Sequence, residues 1–345
     1  MTLTVDTPAT QVQPAVPTPT EARAITGLKP TGSLQLGNLL GAIRPVVRLQ
    51  RAMTTTVFVA DLHALTVEHD PAVLRRRTRE LATLLLAAGL DPGHTTLFVQ
   101  SDVPEHLELH YLLECVATFG EARRMIQFRE KGEGREEIRL SLLTYPVLQA
   151  ADVLLHDVTH VPVGEDQRQH LELARDVARR FNARYGETFV VPEPVHPPVA
   201  RRLMDLQDPA AKMGKSSASQ AGVIGLLDAP DVLRRKVSRA VTDSLSEVRY
   251  DPARQPGVAN LLEILAACSE GDPAYLAAQL DSYAELKEAV AETVVAVLAP
   301  LQERYAELVA DPAVVDDVLA DGRHRARERA AATLRRARSA MGLRG

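Results

Sequence analysis

Three short stretches of this chain carry residue types that handle a nucleotide. The first is Gly27-Leu28-Lys29-Pro30-Thr31-Gly32-Ser33-Leu34-Gln35-Leu36-Gly37-Asn38, with apolar Ala24 and Ile25 before it and an amphipathic run from Leu34 to Leu49 after it. Strand, tight loop and helix in that order present backbone N–H groups and a positive helix end, to which a phosphate is the natural guest. Gly27 and Gly32 stand at the Walker spacing, but Ser33 occupies the place of the obligatory lysine, and no G-x-G-x-x-G pattern is present. What remains is P-[ST]-G-x-L-x-x-G-N, in which Gly37 lets a nucleotide approach the backbone and Asn38 offers side-chain hydrogen bonds. The second stretch is Gly164-Glu165-Asp166-Gln167, polar residues at the end of a strand, where a ribose could be held. The third, Lys212-Met213-Gly214-Lys215-Ser216-Ser217-Ala218-Ser219, is small, flexible and cationic.

Other polar residues stand where apolar ones belong. Tyr145, Gln149 and Asp152 are spaced by four and three, so they project from one face of a helix expected over Ile138 to Leu155 and suggest a pocket with selected hydrogen bonds. His63 falls at the carboxyl end of an expected strand, and Lys131-Gly132-Glu133-Gly134 reads as a mobile loop. His156 and His160 are four apart, but Val158, Val161 and Val163 place them at the entry to a strand, where they diverge; no metal site is expected.

The elements that must position these groups alternate. Thr55 to Ala60 is a buried strand, Pro71 starts a helix stopped by Gly89 and Pro92, and Thr95 to Gln100 is a third strand after the one at Ile25. Helices follow over Pro104 to Thr118 and Glu121 to Arg129, then a fourth strand over His160 to Val163 and a helix from Gln167 to Tyr185. This is the pattern of a parallel α/β sheet, whose ligands sit at the carboxyl ends of the strands. From Asp205 the texture changes, and everything after Pro230 is helical pattern without a convincing strand.

Composition sets limits on the partners. The length of 345 residues favours two domains with well-buried cores, and a net charge of −5 gives no global attraction to nucleic acid. Any RNA contact must use a local basic face, and two are visible: Arg75, Arg76, Arg77 and Arg79, and the tail from Gly322, whose eight arginines face one acid, Glu328. Cys115 and Cys268 have no C-x-x-C partner, which excludes a disulfide framework and fits a reducing cytoplasm. No apolar run approaches a membrane span. Residues 1–21 lack apolar anchors and are expected to be a disordered tail.

With the Pro-Thr-Gly…Gly-Asn loop, the Gly-Glu-Asp-Gln turn and the Lys-Met-Gly-Lys-Ser loop in that order, the sequence resembles the class I aminoacyl-tRNA synthetases. Leu143-Thr144-Tyr145-Pro146-Val147-Leu148-Gln149-Ala150-Ala151-Asp152, Val161-Pro162-Val163-Gly164-Glu165-Asp166-Gln167, Arg179-Arg180-Phe181-Asn182 and Tyr185-Gly186 narrow the resemblance to bacterial tryptophanyl-tRNA synthetases, from about Ile25 onward. The tyrosyl enzymes usually carry Gly-Gly-x-Asp-Gln at the turn, which this chain does not. A non-catalytic RNA-binding paralogue is disfavoured because Gly37, Lys212 and Lys215 are all kept.

The resemblance implies a Rossmann-like, doubly wound parallel sheet over residues 22–205 with a helical insertion, then the mobile loop and a helical anticodon-binding domain over 206–345. It implies ATP with Mg2+, L-tryptophan and tRNA(Trp) as partners, and a homodimer. Lys212, Lys215 and Lys131 would be the catalytic cations; Lys29, Thr31, Gly37, Asn38, Gly164, Asp166, Gln167, Met213 and Ser216 would join Lys212 and Lys215 in binding ATP. Ile25, His63, Tyr145, Gln149, Asp152, Val161, Val163 and Gln167 would line the amino-acid pocket, with Asp152 accepting the indole N–H. Four positions depart from the pattern: Gln35 for His or Thr, Lys29 for Gln, Gly214 for Ser and Gln149 for Met. They leave room for an auxiliary copy beside a housekeeping enzyme.

Overall fold

A computed structural model describes residues 22–126, 128–129, 138–164, 167–195, 203–214 and 220–344. The expected tail over 1–21 lies outside the described residues, as do Lys131, Asp166, Lys215 and Ser216. The strands are β1 (Arg23–Leu28), β2 (Thr54–Val59), β3 (Thr95–Val99), β4 (His160–Pro162) and β5 (Glu193–Val195), in the order β3-β2-β1-β4-β5. The recorded pairings are parallel: Val57 lies opposite Leu97, Ala24 opposite His160 and His160 opposite Glu193. Chain order runs outward from β1 in both directions, the expected doubly wound α/β sheet. β2 and β3 are almost wholly buried, which is why they read as continuous apolar and threonine runs and not as alternations.

β5 has no counterpart among the expected strands. It is three residues long and contains Pro194, which removes a ladder donor and hides the strand signal; the edge of the sheet is where such a residue is tolerated.

The run after the first loop is not one continuous α-helix. It comprises α1 (Leu36–Asn38), a π-helical turn (Leu39–Ile43) and α2 (Arg44–Leu49). Pro45 cannot donate to the turn before it, and the Arg44 N–H reaches the Leu39 carbonyl, so the ladder widens there.

Further helices are α3 (Asp61–Ala64), α4 (Pro71–Ala87), α5 (Glu105–Glu114), α6 (Phe119–Arg123), α7 (Leu140–Leu154) and α8 (Arg168–Tyr185). Asp70 caps α4 by accepting the Ala72 and Val73 N–H groups at 2.7 and 3.0 Å, with Pro71 in the first turn. The C-terminal part is helical as expected: α9 (Pro230–Ser238), α10 (Pro256–Ser269), α11 (Pro273–Ala277), α12 (Tyr283–Ala310) and α13 (Pro312–Ala340). Leu286, Val290, Val294, Leu298 and Leu301 recur every three or four residues along α12 and are buried.

The compact units do not follow a single cut at residue 205. One comprises residues 22–25, 100–195 and 324–344; the other comprises 26–99 and 203–323. Residue 205 lies inside a hairpin, in which the Asp205 N–H donates to Ala211 and the Met213 N–H to Leu203. The composition shift there marks the start of a loop and not a change of fold.

Candidate active site

In the first unit, α7 presents the expected polar residues. The Tyr145 hydroxyl lies 2.7 Å from His170 Nε2 on α8, and burial pushes the phenol above its ordinary pKa. Gln149, half-buried, donates to Gln167 Oε1 at 3.3 Å just before α8. Ile25, Val161 and Val163 are buried on or beside the strands, whereas Gly164 is exposed.

Asp152 is only 1% exposed, so it is not an open acid on a pocket surface. Its Oδ1 accepts Gln100 Nε2 at 2.7 Å and lies 2.7 Å from His106 Nδ1, which donates to the carboxylate in the tautomer that satisfies both groups. His106 Nε2 in turn lies 3.2 Å from His156 Nε2. Burial, and then the neighbouring His106 and Arg329, hold the His156 pKa well below its ordinary value. His156 is therefore neutral and one ring donates to the other. His160 Nδ1 lies 2.7 Å from Thr159 Oγ1. Gln100, His106 and His170 escaped sequence reasoning: Gln100 at the end of β3 was the one visible signal, while the pairings span 52, 46 and 25 positions.

In the second unit, β1 leads into the loop Lys29–Gln35. Gly32 has φ +68°, a conformation that favours glycine, and Lys29 is exposed while Pro30 is buried. A Cβ on Gly37 would meet only the Gln35 side chain, at 3.9 Å, leaving the backbone open to approach. Asn38 Oδ1 accepts the Gln35 N–H at 3.0 Å, so this oxygen serves the loop itself. Thr31 is half-buried, and His63 on α3 is buried at 5% exposure.

Lys212 is exposed, but Met213 is 1% exposed and its side chain belongs to the apolar core with Leu36 and Ile224. The Met213 carbonyl accepts Gln35 Nε2 at 2.7 Å.

Both basic faces are partly engaged in ion pairs. On α4, Arg79 pairs with Asp316 at 2.6 Å and Arg77 with Glu80 at 2.8 Å, leaving Arg75 and Arg76 exposed. On α13, Arg336 pairs with Asp157 at 2.5 Å, Arg327 with Glu105 at 3.2 Å, and Arg338 with Glu108. Burial lowers the pKa of Arg329. Much of the tail's positive charge is thus spent inside its own unit. Among the described residues no helix is long and apolar enough to cross a membrane.

The profile of the family described as tRNA synthetases class I (W and Y) matches residues 18–299. A tryptophan–tRNA ligase, numbered 1, of Streptomyces coelicolor is 58% identical over 327 residues, covering 93% of this chain and 97% of that protein. Among solved structures, tryptophanyl-tRNA synthetase from Mycoplasma pneumoniae matches with a TM-score of 0.84 at 38% identity, over 94% of this chain and 98% of that one. Tryptophanyl-tRNA synthetase from Campylobacter jejuni, solved with ADP and tryptophan, gives 0.81 at 31% identity, over 93% of this chain and all of that one, at 100%.

Proposed function

We propose, from the premise that the chain belongs to the class I tRNA synthetases of the tryptophan and tyrosine family, that it activates L-tryptophan with ATP and transfers it to tRNA(Trp). A tryptophan carboxylate oxygen attacks the α-phosphorus, the bond to the bridging oxygen breaks, and pyrophosphate leaves with the electron pair. The ribose hydroxyl at the tRNA terminus then attacks the aminoacyl carbonyl and AMP departs. Mg2+ enters on the triphosphate, whose oxygens are its natural ligands.

The observation that carries the choice of tryptophan is the carboxylate of Asp152, fixed by Gln100 and His106. A carboxylate only accepts hydrogen bonds, and in this reading the indole N–H is one of its donors. A ring without that donor would leave a desolvated charge short of a partner, so rejection comes from the cost of the wrong ligand. Tyr145, Gln149, Val161, Val163, Ile25 and His63 supply the apolar and polar lining in this reading.

Charge builds on phosphate oxygens during the first step, and positioned cations supply most of its stabilisation. Lys212, exposed on the hairpin, takes that role in this reading together with Lys215, Lys131 and Ser216. Lys29, Thr31, Gly37 and Asn38 take the nucleotide, while Gly164, Asp166 and Gln167 take its ribose end. The helices from α9 onward read the tRNA anticodon, the enzyme is a homodimer, and it works in the cytoplasm. The free thiols of Cys115 and Cys268 suit that compartment.

Exchange of labelled pyrophosphate into ATP tests the reading. Exchange is expected with tryptophan and not with tyrosine. Equal exchange with tyrosine would favour the tyrosyl alternative, and none with either would leave a non-catalytic paralogue.

A further inference from the structure

The segment Leu34–Leu36 touches the cationic stretch on both sides. Before that stretch, Leu203–Asp205 and Ala211–Met213 form the hairpin described above, with Met204 bridged to Lys212. Asn260 on α10, 3% exposed, grips the hairpin at Met204: its Oδ1 accepts the Met204 N–H at 2.8 Å and its Nδ2 donates to the carbonyl at 2.9 Å. After the stretch, the Leu36 N–H donates to Ile224 at 2.9 Å and the Leu226 N–H to Leu34 at 3.1 Å, forming a bridge between Gln35 and Gly225. That return strand is tied down by Lys236, whose Nζ donates to the Val223 carbonyl at 2.7 Å, and by Gln302, which donates to Leu226 and Asp228 at 2.9 Å each.

A direct tie joins the outgoing side to the loop that carries Gly37. This is the 2.7 Å bond from Gln35 Nε2 to the Met213 carbonyl, made by a side chain 6% exposed. We infer that Gln35 is a positioning residue that straps Met213 to the loop carrying Gly37, and so fixes where Lys212 stands relative to a bound nucleotide. The amide reaches because its nitrogen lies three bonds beyond Cβ. A threonine hydroxyl, two bonds shorter, cannot span the same gap, so the departure at position 35 changes how the two signature segments are joined. Asn260 then fixes the far strand of the hairpin and Gln35 the near one.

Limited trypsinolysis and pyrophosphate exchange test the strap together. Gln35→Met keeps length and volume but loses the donor; Gln35→Glu keeps the shape and sets an oxygen against the Met213 carbonyl. Both are expected to speed cleavage after Lys212 by about 2–10-fold, the population change that loss of one neutral hydrogen bond allows. Cleavage after exposed Arg249 should stay as in the parent in both variants, and the melting temperature should stay as in the parent for Gln35→Met, which buries no charge. In exchange, kcat should fall or the KM for ATP rise by a similar factor, with the KM for tryptophan unchanged. Unchanged cleavage and unchanged ATP parameters in both variants would overturn the inference. So would a lowered melting temperature with faster cleavage at both sites, which marks a packing role alone. The exchange measurement rests on the reaction proposed above and the cleavage measurement does not, so an inactive parent protein would sink that reaction while the strap is still tested.

Discussion

In the first unit Asp152, Gln100, His106 and His156 form a run of side chains bonded to one another, with no member more than 1% exposed. In the second unit four ties around the hairpin and the return segment run from side chain to backbone: Gln35 to Met213, Asn260 to Met204, Lys236 to Val223 and Gln302 to Leu226. The contrast fits what each side would recognise under the proposed function. Side-chain networks in a dry interior hold one geometry and penalise a ligand that fails to complete it, which suits a choice among rings. Ties to backbone fix the path of a segment while leaving charged ends such as Lys212 in solvent. That suits phosphate, which is the same in every turnover.

The sharpest way to break the contrast is at the basic tail, where cations that look free in sequence are paired. Arg336 is 10% and Asp157 5% exposed at the side chain, with Thr333 Oγ1 donating to the same carboxylate at 3.1 Å. Arg336→Ala should therefore destabilise the fold by about 3–5 kcal/mol, the cost of leaving a buried charge without its partner. Exposed Arg335→Ala should stay within about 0.5 kcal/mol. Urea unfolding measures both, and equal small effects would return the tail to the status of a solvated basic face.

On the nucleotide side, Lys215→Ala should slow adenylate formation by about 10²–10³-fold, as expected when one preorganised charge stabiliser is lost. Tryptophan binding, followed by equilibrium titration, should barely move. An unchanged exchange rate would remove Lys215 from the chemistry.

A smaller effect is expected for Asp152→Ala. It should reduce discrimination for tryptophan over phenylalanine in exchange by about 5–150-fold, the equivalent of about 1–3 kcal/mol for an unpaired polar group. Gln149→Met should cost much less. Should the parent preference survive in Asp152→Ala and vanish in Gln149→Met, the glutamine carries the choice and the buried network is structural.

The mildest test lies at the surface of the first unit. Arg180 holds the Glu121 carboxyl down to about 2 from its ordinary 4.5, aided by Thr118. A depressed acid stabilises the fold above its unfolded pKa and loses that contribution as pH falls towards the folded value. Glu121→Gln should lower the urea midpoint near neutrality and flatten its pH dependence between about 4.5 and about 2, so that the two curves converge at the acid end. A midpoint curve identical to the parent's would mean that the pair is screened.

Position and pattern made most elements legible. Pro71 announced α4, the apolar runs announced β2 and β3, and the spacing of Tyr145, Gln149 and Asp152 put them on α7, all because these signals are local in the chain. β5 and the π-helical turn were hidden by prolines, whose effect depends on the neighbouring strand or turn.

By itself, then, the sequence determined the α/β alternation, the two signature segments and the helical C-terminal part, since backbone propensity and burial period are written within a dozen residues. Tertiary structure alone decided that Asp152 is clasped by Gln100 and His106, that Met213 faces the core and that Arg336 is spent on Asp157. Those pairings join residues 46 to 179 positions apart, or turn on which side of a hairpin is buried. A charge or donor in the sequence shows what a residue can offer. Its use is set by whichever group the fold brings within 3 Å and by how much water remains there.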